Sequence, residues 1–92
     1  MSNLLLALLL SGCASLGDGY EWTRSNRPSY PVQWYATGSV EGVHHLCRNS
    51  HDNACAIYGH WGCVIVAQMD EAHTPAWLVE HERRHCAGWD HS

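Results

Sequence analysis

The stretch HERRHCAGWDH, His81 to His91, lies one residue from the end of this 92-residue chain. His81 and His85 are four residues apart, so on a helix their imidazoles differ by only ~40° around the axis and point the same way. Gly88 is placed to end that helix in a left-handed conformation, and His91 can then turn back toward the other two histidines. The stretch therefore predicts a helix whose end brings three imidazoles together.

The residues before this stretch predict where the helix begins. Thr74 is a good N-cap, Pro75 suits the first helical position, and the next residues propagate the helix. Glu80 and Arg84 are spaced i,i+4 with the acid first, which favours an ion pair on a solvated face. We expect one C-terminal helix that carries the first two histidines.

Three imidazoles with one further position open form the ligand set of a catalytic zinc site, whereas structural zinc sites are closed. We therefore predict that Zn²⁺ is bound by His81, His85 and His91. Glu82 is the next residue around the helix and can act on a water molecule without being a ligand. That position suits a general base, so Glu82 is the predicted catalytic residue.

The same residues match the long signature H-E-x-x-H-x-x-G-x-x-H of the metzincin metallopeptidases, which this C-terminal stretch resembles. The resemblance implies that His81, His85 and His91 are zinc ligands and that Glu82 is the general base. Cys63 to Gln68 resembles the edge strand along which zincins hold an extended substrate. The whole chain is also similar to small, Cys-rich lipoproteins of bacteria and their phages that end in this type of helix.

The N-terminus predicts export and a lipid anchor. Leu4 to Leu10 is an apolar run of signal-peptide length, too short to span a bilayer. Leu10-Ser11-Gly12-Cys13 resembles the bacterial lipoprotein box, which implies that residues 1–12 are a signal peptide and that Cys13 is lipidated. Ala14 after the cysteine resembles lipoproteins sorted to the outer membrane. We thus expect a lipid-anchored envelope protein that faces the periplasm.

Four cysteines remain when Cys13 is set aside: Cys47, Cys55, Cys63 and Cys86. An even number in an oxidising periplasm predicts two disulfides, and four cysteines allow three connectivities. A cysteine-containing zinc site is the alternative, but none of the spacings is C-x-x-C. Cys86 lies ~100° from His85 around the helix, so it is better placed to tie the helix to the rest of the domain than to join the metal. Disulfides or a metal are the usual supports of so small a domain.

The middle of the chain predicts a small sheet. Residues 13–31 read as the lipidated cysteine and a polar, flexible tether, and residues 32–92 as the folded domain. Within it, Val32 to Thr37 is a candidate strand, and Gly38 to Asn53 is turn-rich. Ala54 to Tyr58 and Cys63 to Gln68 read as the two strands of a hairpin.

The register of that hairpin bears on the disulfides. If Tyr58 pairs with Cys63, then Cys55 faces Val66 and a Cys55–Cys63 bridge is disfavoured. The fold class predicted from these features is α+β. It consists of an antiparallel sheet of about three strands, packed on one zincin-type active-site helix and stapled by disulfides.

The function classes follow from the site and from the charge. A formal net charge of −4 with neutral histidines leaves no basic surface for nucleic acid. The favoured hypothesis is a minimal zinc metallopeptidase that acts on a peptide or protein substrate in the envelope. The alternative is a non-catalytic zinc-binding lipoprotein in which the metal staples the domain.

The sequence leaves the roles of two sets of residues undecided. Tyr58, His60 and His73 are the candidates for stabilising an oxyanion during peptide hydrolysis, and the sequence does not select among them. A metal carrier or sensor would use the remaining histidines instead: His44, His45, His51, His60 and His73. Histidines in turn-rich segments are more often solvated or structural than metal ligands. Oligomeric state is not predicted by any feature of the sequence.

Overall fold

The structure is a computed structural model, and it describes residues 19–91. The predicted signal peptide of residues 1–12 and the predicted lipidation site Cys13 lie outside the described residues. The elements in chain order are β1 (Trp22–Arg24), β2 (Val32–Ala36), α1 (Val40–Cys47), β3 (Ala54–Gly59), β4 (Gly62–Ala67), a short 3-10 turn (Glu71–His73), α2 (Ala76–Cys86) and β5 (Trp89–His91). The α+β class is confirmed.

The larger sheet has three strands in the order β2-β4-β3, with β4 in the centre, so the expectation that Cys63 to Gln68 forms an edge strand is wrong. Ile65, Val66 and Ala67 of β4 are almost fully buried, as expected for the apolar run of a central strand. The predicted hairpin of β3 and β4 is confirmed, and its register pairs Tyr58 with Cys63 and Cys55 with Val66. The core therefore lies along β4, between its two neighbours and the helices.

The prediction of a purely antiparallel sheet is wrong for β2, which runs parallel to β4. Ala36 at the end of β2 and Ala54 at the start of β3 both pair with Ala67 at the end of β4. The segment between β2 and β3 thus crosses over the end of β4, and β3 starts at the same end of the sheet. The tight hairpin then reverses the chain, so that β4 lies beside β2 and runs in the same direction.

That crossing segment contains α1, where the sequence analysis expected only turns. Ser39 is its N-cap, and the Ser39 hydroxyl accepts a hydrogen bond of 3.1 Å from the Gly42 amide. Val43 is fully buried, and Arg48 ends the helix in a left-handed conformation with φ 59°. Gly42 weakens helical propensity, so the cap and one buried side chain hold α1 through tertiary packing.

Both disulfides form, and all four remaining cysteines are used. Cys47–Cys55 joins α1 to β3, and Cys63–Cys86 joins β4 to the last residue of α2. Cys63 and Cys86 are 1% exposed and pack in the core with Ile65. The two-disulfide prediction is confirmed, and the alternative of a cysteine-containing zinc site is wrong.

Helix α2 begins one residue later than the sequence predicts. Pro75 occupies the N-cap position, and the Thr74 hydroxyl instead donates a 2.8 Å hydrogen bond to the Asp70 carbonyl. The predicted pair of Glu80 and Arg84 is present at 3.5 Å. In residues 19–91, neither helix has the length and apolar composition that crossing a bilayer requires.

A second sheet is formed by β1 and β5, which pair antiparallel with Trp22 opposite His91. The backbone continues this contact, because the Ser25 amide donates to the Gly88 carbonyl and the Tyr30 amide donates to the Cys86 carbonyl, each at 2.9 Å. Residues 22–30, expected to belong to a flexible tether, are therefore packed along the C-terminal residues. The folded part of the chain extends back at least to β1.

Candidate metal centre

The three predicted ligands meet at one point. The Nε2 atom of His91 lies 3.1 Å from Nε2 of His85 and 3.2 Å from Nε2 of His81. Among the described residues, this is the one cluster of at least three metal-ligating side chains, and its ligand atoms all lie within 4.8 Å of one another. The structure thus positions His81, His85 and His91 to bind a metal ion.

Two elements supply the ligands. His81 and His85 lie one turn apart on α2, as their spacing predicts, and His91 lies on β5. Gly88 makes the reversal between them with φ +98°, the left-handed conformation predicted for it. A Cβ atom at Gly88 would lie 2.7 Å from the Arg27 carbonyl oxygen, so a side chain is excluded by packing as well as by φ.

The spacing of the nitrogens fits a tetrahedral ion. With metal–nitrogen bonds of ~2.05 Å, two tetrahedral ligands are separated by ~3.3 Å, close to the separations observed here. The Nδ1 atom of His85 lies 3.0 Å from the Trp89 carbonyl oxygen and donates to it, which leaves the Nε2 lone pair free for a metal. Burial, then the nearby His81, lowers the pKa of His85 and favours the neutral imidazole that a metal requires.

Arg27 stabilises the turn between His85 and His91 through hydrogen bonds. Its Nη1 donates to both carboxylate oxygens of Asp90, at 2.9 and 2.8 Å, and its Nη2 donates to the His85 carbonyl at 3.0 Å. The hydrogen bonds from Arg27 hold the pKa of Asp90 below its usual value. No local pattern predicts this role, because Arg27 lies in the polar segment expected to be a tether, 63 residues before Asp90.

Two aromatic side chains near the N-terminus of the described chain cover the histidines. The Trp22 ring lies 4.9 Å from the rings of His81 and His91 and 5.1 Å from that of His85. The Tyr20 ring lies 4.1 Å from that of His91. Both rings thus pack against the imidazoles. No local feature of the sequence indicates this role for either residue, since the pairing of β1 with β5 that places them is long-range.

Glu82 is buried beside the cluster, with only 5% of its surface exposed. Burial, reinforced by the charge of Asp52, raises the pKa of Glu82 to about 7. It lines a cavity of about 280 Å³ together with His81, His85 and His91. A carboxyl group with such a pKa can both accept and return a proton near neutral pH.

The other candidate residues lie away from this cavity, apart from His51. Tyr58 stacks on Tyr30 at 6.1 Å and lies under the Arg27 guanidinium at 4.2 Å. His73 pairs with the exposed Asp70 at 2.7 Å. The residues that line the cavity therefore do not include the three predicted oxyanion donors Tyr58, His60 and His73.

Comparisons of this chain with protein-family models, with curated proteins and with solved structures gave no match. The likeness to metzincins accordingly rests on the residues of the signature, and the zincin-type fold stays a prediction. The structure adds the assembled cluster of three histidines, with a buried carboxyl group beside it.

Proposed function

We propose that this chain is a small zinc metallopeptidase, held in the bacterial envelope by a lipid on Cys13. The observation that carries the proposal is the joint arrangement of the metal ligands and Glu82. The Nε2 atom of His91 lies 3.1 Å from that of His85 and 3.2 Å from that of His81, and a buried carboxyl group lines the same cavity. Three protein ligands leave a position open, which distinguishes catalytic from structural zinc sites.

The donor set favours zinc over harder ions. Imidazole nitrogen suits zinc and other transition metals, whereas magnesium and calcium take oxygen ligands. Bound there, zinc would supply Lewis-acid activation of a water molecule and of the scissile carbonyl. The three histidines would hold the ion through Nε2, and the hydrogen bond from Nδ1 to the Trp89 carbonyl sets the tautomer of His85 that this requires.

Glu82 would move the proton. It accepts a proton from the attacking water and passes it to the leaving amine, which are the two tasks of a general acid–base residue. Its pKa of about 7 suits both directions of transfer. Because Glu82 follows His81 directly on α2, the carboxyl group stays close to the metal ligands without joining them.

Tyr20 is the proposed donor to the developing oxyanion. It is the one hydroxyl-bearing side chain among the residues that line the cavity, and its ring packs on His91. A positioned hydroxyl donor stabilises negative charge as it forms on the scissile carbonyl oxygen. This assignment replaces Tyr58, His60 and His73, which do not line the cavity.

The test is a comparison of Glu82→Gln with Glu80→Gln, each loaded with zinc and incubated with a mixed peptide library. Glu82→Gln is expected to keep one zinc per chain and to lose about 10² to 10⁴-fold in cleavage rate, the range for a general acid–base residue. Glu80 is exposed and forms only an ion pair with Arg84, so its variant should cleave normally. Unchanged cleavage by Glu82→Gln would reject the peptidase proposal.

The aromatic side chains that cover the histidines favour a second candidate function. Tyr20 and Trp22 pack on the imidazoles, and the pairing of β1 with β5 holds the N-terminal residues of the described chain against its C-terminal residues. A metal at that junction would staple the domain while the protein binds a partner in the envelope. This candidate requires that Glu82→Gln is harmless and that His81→Ala unfolds the domain.

A further inference from the structure

The cavity beside the histidines continues to the loop before β3 and to the start of α2. Its far wall is formed by His51 and Asp52 of that loop and by Trp77 and Leu78 of α2. None of these four residues is needed to hold the metal or to move the proton. This wall is therefore free to recognise the substrate.

Acidic groups dominate the cavity. Asp52 and Glu82 both line it, and its lining residues include no arginine. The chain contains no lysine at all. Arg83 and Arg84, the cations of α2, pair with the acids Glu71 and Glu80. Two carboxyl groups therefore line the cavity beside the metal site, with no arginine or lysine among its lining residues.

Both carboxyl groups lack a partner. Within residues 19–91, neither Asp52 nor Glu82 makes a side-chain hydrogen bond or an ion pair. Glu82 is 95% buried, given its exposure of 5%. Burial of an unpaired carboxyl group is unfavourable, and a cationic group brought by a ligand would relieve it.

The remaining wall suits the body of a lysine-like group. Trp77 and Leu78 contribute an aromatic and an aliphatic side chain to the lining of the cavity. An alkyl stem packs on such surfaces while its ammonium group reaches a carboxylate, and an aromatic face also attracts the cation. The volume of about 280 Å³ is below that of most sites for drug-sized ligands, so it fits one residue of a substrate.

We propose that this cavity binds a primary ammonium group of the substrate and that Asp52 is the specificity-determining residue. The ammonium group belongs either to a lysine side chain next to the scissile bond or to a free amino terminus. The inference rests on the proposed peptidase function, because it names the substrate class of that same site.

Hydroxamates that bind zinc test the inference without any need for turnover. The full chain is purified in detergent, loaded with zinc and titrated with three compounds by calorimetry. Nα-acetyl-lysine hydroxamate offers only the side-chain ammonium, norleucine hydroxamate offers only the α-ammonium, and Nα-acetyl-norleucine hydroxamate offers neither. We expect one of the first two to bind at least about tenfold more tightly than the third, as for a charge-assisted contact.

Variants then assign the preference to Asp52. Asp52→Asn should remove the preference and leave the affinity for Nα-acetyl-norleucine hydroxamate unchanged, which also shows that the variant is folded. Asp52→Glu should restore part of the preference. Glu41→Gln, at an acidic residue of α1 that does not line the cavity, should behave as the wild type.

The outcomes separate this inference from the proposed function. If the three compounds bind equally, or if Asp52→Asn keeps the preference, the ammonium subsite is wrong and the peptidase proposal stands. If none of the compounds binds to the zinc-loaded protein, the metal has no open position, and both proposals fail.

Discussion

His91 is the residue on which the metal site closes. Its Nε2 atom lies between those of His85 and His81, at 3.1 and 3.2 Å, while the helix alone supplies only two ligands. Two imidazoles at i and i+4 are a common arrangement on helices with many histidines. The third ligand, delivered from a different element, is what makes the cluster a defined metal site.

Replacement of His91 by Ala is expected to weaken zinc binding by more than about 100-fold, because loss of a ligand exceeds the usual effect of losing a residue that only orients one. His73→Ala is the matched control, since His73 is exposed and bonds only with Asp70. Competition with a chromogenic chelator measures both affinities. Equal affinities in the two variants would contradict a three-histidine site.

Arg27 acts on the metal site through Asp90 and the His85 carbonyl. We predict that Arg27→Gln lowers zinc affinity by about tenfold, the effect typical of residues that orient metal ligands. Arg83→Gln serves as control, because Arg83 forms an exposed pair with Glu71 at 2.8 Å and contacts no ligand. The same chelator competition applies, and an unchanged affinity in Arg27→Gln would show that Arg27 does not position the ligands.

At the scale of strands and helices, the two disulfides link different pairs of elements. Cys63–Cys86 holds the C-terminus of α2 against β4, directly after His85, whereas Cys47–Cys55 holds α1 to β3. Their sequence separations of 23 and 8 residues give entropic contributions of roughly 3.5 and 2.5 kcal/mol. Only the first of them supports an element that carries metal ligands.

We therefore expect the variant Cys63→Ala/Cys86→Ala to lose both stability and zinc affinity. The variant Cys47→Ala/Cys55→Ala should lose about 2.5 kcal/mol of unfolding free energy and keep its zinc affinity. Urea denaturation and zinc titration on the two proteins check this difference. The expectation fails if both variants bind zinc equally well, or if the second also loses the metal.

Elements differ in how far local sequence predicts them. α2 and the β3–β4 hairpin carry strong local signals, namely helical spacing of the histidines and β-branched runs around a glycine-bounded turn. α1 carries weak ones, because Gly42 lies in its first turn and only Val43 is fully buried. Its existence depends on the Ser39 cap and on the contacts of Val43 within the folded domain.

At the scale of the whole molecule, the fold is supported by a small core and two disulfides, and the three histidines are positioned to add a metal ion. The fully buried hydrophobic side chains of the described residues are few, and two of them are the cysteines of one disulfide. A metal that binds only the folded state adds stability that depends on its concentration. Zinc should therefore contribute a large share of the total stability.

Zinc at a thousand times its dissociation constant is expected to add about 4 kcal/mol, which raises the melting temperature of a domain this small by roughly 15–30 °C. Thermal unfolding followed by circular dichroism, with zinc and with a chelator, measures the change. At the same zinc concentration His91→Ala, with its affinity lowered more than about 100-fold, should gain less than about 1.4 kcal/mol. If zinc does not change the melting temperature of the wild-type protein with both disulfides intact, the metal site is refuted.

The sequence by itself determined the C-terminal helix, the three histidines that meet, the hairpin, and the presence of two disulfides. Each of these depends on residues that are close in the chain, or on the even number of cysteines. The spacing of His81 and His85 and the glycine before His91 are local features. The metal-ligand cluster could therefore be predicted without knowledge of the rest of the fold.

Only the tertiary structure decided how the two ends of the described chain meet. β1 pairs with β5 across 65 to 69 residues, which brings Tyr20, Trp22 and Arg27 to the metal site. The parallel alignment of β2 with β4 likewise depends on the path of the segment that contains α1. Short strands in polar segments gain their stability from distant partners, and those partners leave no local pattern in the sequence.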